Sequence, residues 1–145
     1  MRTWVFLLAL LPTGLNAAQS TQQELLRVHI TGIRSDKGRV MCALYASADG
    51  FAKDGNKALM QTSSPVADHQ ATCDFHDVHP GTYAVSVFHD ENSNGRLDMN
   101  FMGIPREGVG TSNDAKGHFG PPKFEDAAFH YPGSLLELKI AMKYL

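Results

Sequence analysis

The sequence predicts an all-β fold, an antiparallel Greek-key β-sandwich with a long ordered loop before its last strand. Three observations carry this. Four segments alternate apolar and polar residues with the period of two that marks half-buried strands. A fifth opens on Pro80-Gly81 with Tyr83 two residues on, the arrangement of a tyrosine corner in Greek-key sandwiches. No glycine-rich dinucleotide or P-loop pattern appears anywhere in the 145 residues.

The elements follow in order. Residues 1–17 are expected to be a signal peptide and residues 18–145 a single sandwich domain. Arg2 supplies the positive start, Trp4 to Leu11 an unbroken apolar run, and Ala17 and Ala18 the small residues of a cleavage site. As a helix that run covers only about 12 Å of a roughly 30 Å bilayer core, so the mature chain is expected to carry no transmembrane anchor. The first strand places Leu26, Val28 and Ile30 on one face, and the second places Val40, Cys42 and Leu44 together after the turn at Gly38. Phe51 to Met60 reads as a loop with one helical turn. In the third strand Ala71, Cys73 and Phe75 share a side. Both cysteines therefore face inward, and export to an oxidising compartment makes a Cys42–Cys73 disulfide the expectation, with two buried free thiols as the alternative. Closing that loop contributes on the order of 3 kcal/mol. Thr82 to His89 is the fifth strand, and Leu136, Leu138, Ile140 and Met142 form the closing one.

From Asp90 to Gly133 the alternation stops, and seven of the 13 glycines and four of the seven prolines fall there. A structureless stretch of this length in a compact domain is usually functional. Phe101, Met102, Ile104, Phe119, Phe124, Phe129 and Tyr131 are expected to pin it to the sandwich.

This loop begins with the segment that carries chemistry, His89-Asp90-Glu91-Asn92-Ser93-Asn94-Gly95-Arg96-Leu97-Asp98. In a calcium loop Asp90, Asn92 and Asn94 supply side-chain oxygens, Gly95 the sharp turn, Arg96 its carbonyl and Asp98 a direct or water-mediated contact. Phe101 stands where an EF-hand has its bidentate glutamate, so Glu107, Asp114 or Asp126 is expected to fill that place. Two carboxylates and two amides fit an affinity on the order of 10⁻⁴ to 10⁻⁶ M for Ca²⁺. The bland alternative is a polar turn whose Asx side chains bond their own backbone.

Other chemistries have less to stand on. The 13 Lys and Arg against 15 Asp and Glu leave no basic surplus, so nucleic acid is not an expected partner. No serine sits in a G-x-S-x-G frame. A carboxylate pair, Asp90 with Glu107, is the candidate for glycan hydrolysis, with His89 as a further acid or base. His76, His79 and His89 are the candidates for a transition-metal site made in space, although none has zinc-motif spacing. For His89 the first expectation is to orient Asp90. The reading adopted is a non-enzymatic binding or structural protein, periplasmic or secreted, whose partner is an envelope protein or glycan.

The order of the pieces P-G-x-Y-A-V, H-D-x-N-x-N-G-x-L-D, G-I-P-x-E-G, S-N and G-P-P-x-F-x-D-A resembles a bacterial exported family, domain-of-unknown-function family 2141. That resemblance implies a prealbumin-like, Cna-B-like or Ig-like sandwich and brings no activity with it. Its recurring polar positions fall here on His89, Asp90, Asn92, Asn94, Asp98, Glu107, Ser112, Asn113 and Asp126.

Overall fold

A computed structural model describes residues 23–145, so the expected signal peptide lies outside the described residues. Eight strands follow: β1 (Leu25–Thr31), β2 (Arg39–Tyr45), β3 (Met60–Pro65), β4 (Ala71–His76), β5 (Gly81–Asp90), β6 (Val109–Thr111), β7 (Phe129–Tyr131) and β8 (Leu136–Ala141). One sheet has the order β4-β1-β8 and the other β3-β2-β5-β6, with β7 paired to the first residues of β5. Among the described residues no helix is long and apolar enough to cross a membrane.

The residues that alternate in sequence are the ones that meet between the sheets. Leu26, Val28 and Ile30 of β1, Val40 and Leu44 of β2, Phe75 of β4, Val85 and Val87 of β5 and Ile140 of β8 are all buried in one core, with Leu136 and Leu138 half-buried at its margin. Removal of this apolar surface from water is the main source of stability. The outward face of β1 and β4 carries a bidentate pair, Arg27 Nε and Nη2 donating to Asp74 Oδ1 and Oδ2 at 2.8 Å each. The guanidinium holds the Asp74 carboxyl below its ordinary range.

Cys42 and Cys73 are joined, as expected, and their Cα atoms lie 6.6 Å apart. Cys42 is on β2 and Cys73 on β4, so the bond ties one sheet to the other through the core. Tyr83 donates its phenol proton to the His79 carbonyl at 2.7 Å, as a tyrosine corner does.

The structure departs from the expectations at three places. β1 and β8 pair in parallel, whereas every other strand pairing is antiparallel. A tight hairpin forces antiparallel pairing, but nearly the whole chain separates these two strands. β3 arises from Gln61-Thr62-Ser63-Ser64, a polar edge strand with no buried residue to give a hydrophobic signal, and Pro65 ends it. Within the long segment β6 and β7 are three residues each, too short to show a period. Of the seven side chains expected to pin that segment, only Phe124, Phe129 and Tyr131 pack against the two clusters. Phe101, Met102, Ile104 and Phe119 stand in solvent.

Candidate functional site

β5 is the element that positions the site. Its inward residues run Tyr83, Val85, Val87, and the next inward position is His89, which takes the core face at the end of the strand with no exposed surface. A histidine there has to satisfy both ring nitrogens without water. Nε2 lies 2.7 Å from the Lys37 carbonyl, which only accepts, so Nε2 carries the proton. Nδ1 then accepts from the Tyr144 hydroxyl at 2.9 Å, and that hydroxyl accepts in turn from the Arg34 amide at 3.0 Å. Arg34 also lies over the Tyr144 ring, 4.5 Å from its centroid, and pairs with Glu91. Burial and the Glu91 charge raise the Tyr144 phenol above its ordinary value against the opposing pull of Arg34. Tyr144→Phe therefore strands the His89 Nδ1 acceptor, with an expected loss of about 1–3 kcal/mol in urea denaturation. His89 anchors the strand end; its ring contacts neither oxygen of Asp90.

The carboxylate of Asp90 turns the chain immediately after β5. Oδ1 accepts the Asn94 amide at 3.0 Å and Oδ2 the Gly95 amide at 2.9 Å. Asn92 Oδ1 accepts from Asn94 N, and Asn94 Oδ1 from Arg96 N, so each amide holds its own Asx turn. Their nitrogens point the other way: Asn92 Nδ2 donates to Asp98 Oδ2 at 2.6 Å and Asn94 Nδ2 to Asp98 Oδ1 at 3.0 Å. Glu107 closes the loop from the strand side, Oε1 accepting Glu91 N at 3.0 Å and Oε2 accepting Asp98 N at 3.1 Å. Asp90 is 1% exposed and Glu107 5%.

The structure thus brings together Asp90, Asn92, Asn94, Arg96, Asp98 and Glu107. Glu107 is the carboxylate that comes in from outside the motif. Asp114 instead accepts the Ala141 amide, and Asp126 is exposed on the short helix α1 (Phe124–Ala127). Among the described residues no three His, Cys, Asp or Glu side chains surround one point as metal ligands do, because backbone and amide donors lie between the carboxylates. Taking up an ion would require the Asn92 and Asn94 amides to exchange their ends.

His79 precedes β5 and His89 ends it, so the strand's length separates them, and His89 has both nitrogens engaged. Asp90 and Glu107 are buried with every carboxylate oxygen accepting a backbone amide, and neither lines the cleft of about 260 Å³ between Gly50–Lys53 and Pro121–Glu125.

The family comparison bears on the same segment. The description "Uncharacterized protein conserved in bacteria (DUF2141)" matches residues 28–137, from the middle of β1 into β8. The chain belongs to the DUF2141 family. No curated protein and no solved structure gives a match. In this DUF2141 chain the S-N piece is a brace. Ser112 Oγ accepts from Val85 N at 2.9 Å and donates to Ala127 O at 2.6 Å, while Asn113 Nδ2 donates to Ala128 O at 2.9 Å. These bonds fasten the chain after β6 to the lead into β7. The sequence reading missed Arg34, Lys37 and Tyr144, whose partners are more than fifty positions away and leave no local signal.

Proposed function

We propose that this DUF2141 chain is an exported, non-enzymatic binding or structural protein of the bacterial envelope, a prealbumin-like or Cna-B-like sandwich whose Asp90–Asp98 loop binds Ca²⁺ together with Glu107. Export is supported by the signal-type N-terminus and by the disulfide, since such bonds persist in oxidising compartments. One observation carries the ion: the carboxylates of Asp90, Asp98 and Glu107 all bond the backbone or amides of one loop, two of them are buried, and among the described residues none forms an ion pair. Buried charge is ordinarily paired or metal-bound. A hard divalent cation relieves the repulsion and suits oxygen donors of this kind. The ion would order the loop and, through it, the surface from Ile104 to Phe124 offered to a protein or glycan partner.

Calorimetric titration of the oxidised, chelator-stripped protein with CaCl₂ tests this. Heat is expected with a Kd on the order of 10⁻⁴ to 10⁻⁶ M, and free calcium at about 100 times Kd adds about 2.7 kcal/mol of stability. Asp98→Asn, which keeps the acceptor shape and removes the charge, is expected to weaken uptake at least about tenfold. Absence of both heat and thermal shift in the wild type, with magnesium as well as calcium, removes the ion and leaves a self-bonded polar turn.

A further inference from the structure

Next to the cation site, the segment Met99–Pro105 forms a closed tip whose apolar side chains face water. Phe101 is 96% exposed, Met102 65%, Met99 52% and Ile104 39%. Four large apolar side chains on one short turn are unlike the scattered singles of an ordinary surface. The tip is also built tightly. Met99 and Pro105 bridge its base, Asn100 N donates to Ile104 O at 2.9 Å, and Gly103 N donates to Asn100 O at 3.0 Å. The Asn100 side-chain oxygen accepts the amides of both Met102 and Ile104. The amides of residues 100, 102, 103 and 104 are therefore all bonded within the tip. A Cβ built at Gly103 would meet nothing within 4 Å, so the turn projects from the sandwich.

We infer that this tip inserts into the headgroup and acyl boundary of an anionic lipid membrane. A turn with apolar side chains and four of its amides bonded internally lowers the cost of bringing backbone polar groups to the lipid boundary, where the remaining groups at its tip still meet headgroups and water. The charge around its stem fits the same occupant. Arg96 and Arg106 are exposed on either side, and Arg106 N bonds Asp98 O at 2.8 Å, which fixes it at the base. The acidic neighbours keep their charge but are less exposed: Asp90 and Glu107 are buried, Glu91 and Asp98 half-buried, and Glu91 pairs with Arg34, so Arg96 and Arg106 are the exposed charges that flank the tip. Two outward arginines beside an apolar wedge match phosphate headgroups above acyl chains.

The experiment uses residues 18–145, which hold every described strand and the disulfide, with vesicles of phosphatidylethanolamine and phosphatidylglycerol in chelator. Wild type is expected to sediment with them, and Phe101→Ser/Met102→Ser to partition at least about tenfold more weakly at unchanged melting temperature, since both side chains already face water. Phe101→Trp, the sole tryptophan in that chain, is expected to emit further to the blue on vesicle addition. Arg96→Gln/Arg106→Gln is expected to abolish the preference over phosphatidylcholine vesicles. Equal partition of wild type and Phe101→Ser/Met102→Ser, or no sedimentation of either, overturns the inference. A wild-type dimer in solution that the same double variant converts to monomer also overturns it, and assigns the tip to a second copy of the chain.

Discussion

Replacing Cys42 and Cys73 together by alanine is expected to cost the domain about 3–4 kcal/mol, the loop-closure value for a bond spanning 31 positions. Against a typical total of about 5–15 kcal/mol this is from about a fifth to most of the stability of the domain. The cost is mainly in the unfolded chain, which regains the freedom that the bond removes. The bond also does something that sequence separation alone does not convey. β2 belongs to one sheet and β4 to the other, while β3, between them in sequence, pairs with β2. Cutting the bond therefore leaves the two sheets held by apolar packing and by the hydrogen bonds of Val109 with Lys143 and of Ala141 with Asp114. Urea denaturation of oxidised, reduced and double-variant protein measures it: reduced wild type and the variant should coincide, both well below oxidised protein. A loss under about 1 kcal/mol would mean that the sheets hold together without the cross-link, which is then dispensable.

Gly38→Ala is expected to be nearly as severe, about 3 kcal/mol or more, and to damage the site as well. Gly38 has φ of +65°, and a Cβ there would stand 1.9 Å from the Asp90 carbonyl oxygen and 2.8 Å from Glu91 Cα. Those are backbone atoms at the end of β5, so no rotamer change relieves the overlap. The displacement reaches Lys37, whose carbonyl holds His89, and Asp90, whose carboxylate turns the loop. Gly95→Ala is the matching control. It has a similar φ of +76° with nothing within 4 Å of the added methyl, and should lose only about 1 kcal/mol. Denaturation midpoints of the two variants then separate backbone strain from close approach. Equal losses would refute the packing of Gly38 against β5. Calcium titration of both should find uptake weakened much more by Gly38→Ala.

The sandwich was legible in the sequence wherever a strand is buried on one face and wet on the other. Leu26-Val28-Ile30 and Val40-Cys42-Leu44 show their inward residues by alternation alone. The cysteines were legible for the same reason. β3 was not, because an exposed edge strand has no apolar face to reveal, and β6 and β7 were not, because three residues do not make a period. The loop motif named Asp90, Asn92, Asn94 and Asp98, which hydrogen bonds link in one loop, and Glu107, one of three carboxylates named from outside it, bonds the same loop. Its internal bonding was beyond reach, since nothing in D-x-N-x-N-G says which end of an amide faces Asp98. The His89 hydrogen bonds were equally hidden: Arg34 and Tyr144 lie 110 positions apart and are brought together only by the tertiary fold. Phe101 and Phe119 misled where Phe124, Phe129 and Tyr131 did not, because a phenylalanine in a loop carries no mark that distinguishes an anchor from an outward tip.

The parallel pairing of β1 with β8 has a kinetic consequence. The first described strand finds its neighbour, Leu26 beside Leu136 and Ile30 beside Ile140, only when the last one arrives. A chain that leaves a ribosome or a translocation pore N-terminus first cannot complete the β4-β1-β8 sheet until its final residues are free. Contacts so distant in sequence slow folding, because the entropy of closing the loop is lost before the contacts repay it. Completion of the β4-β1-β8 sheet is thereby deferred until β8 is available.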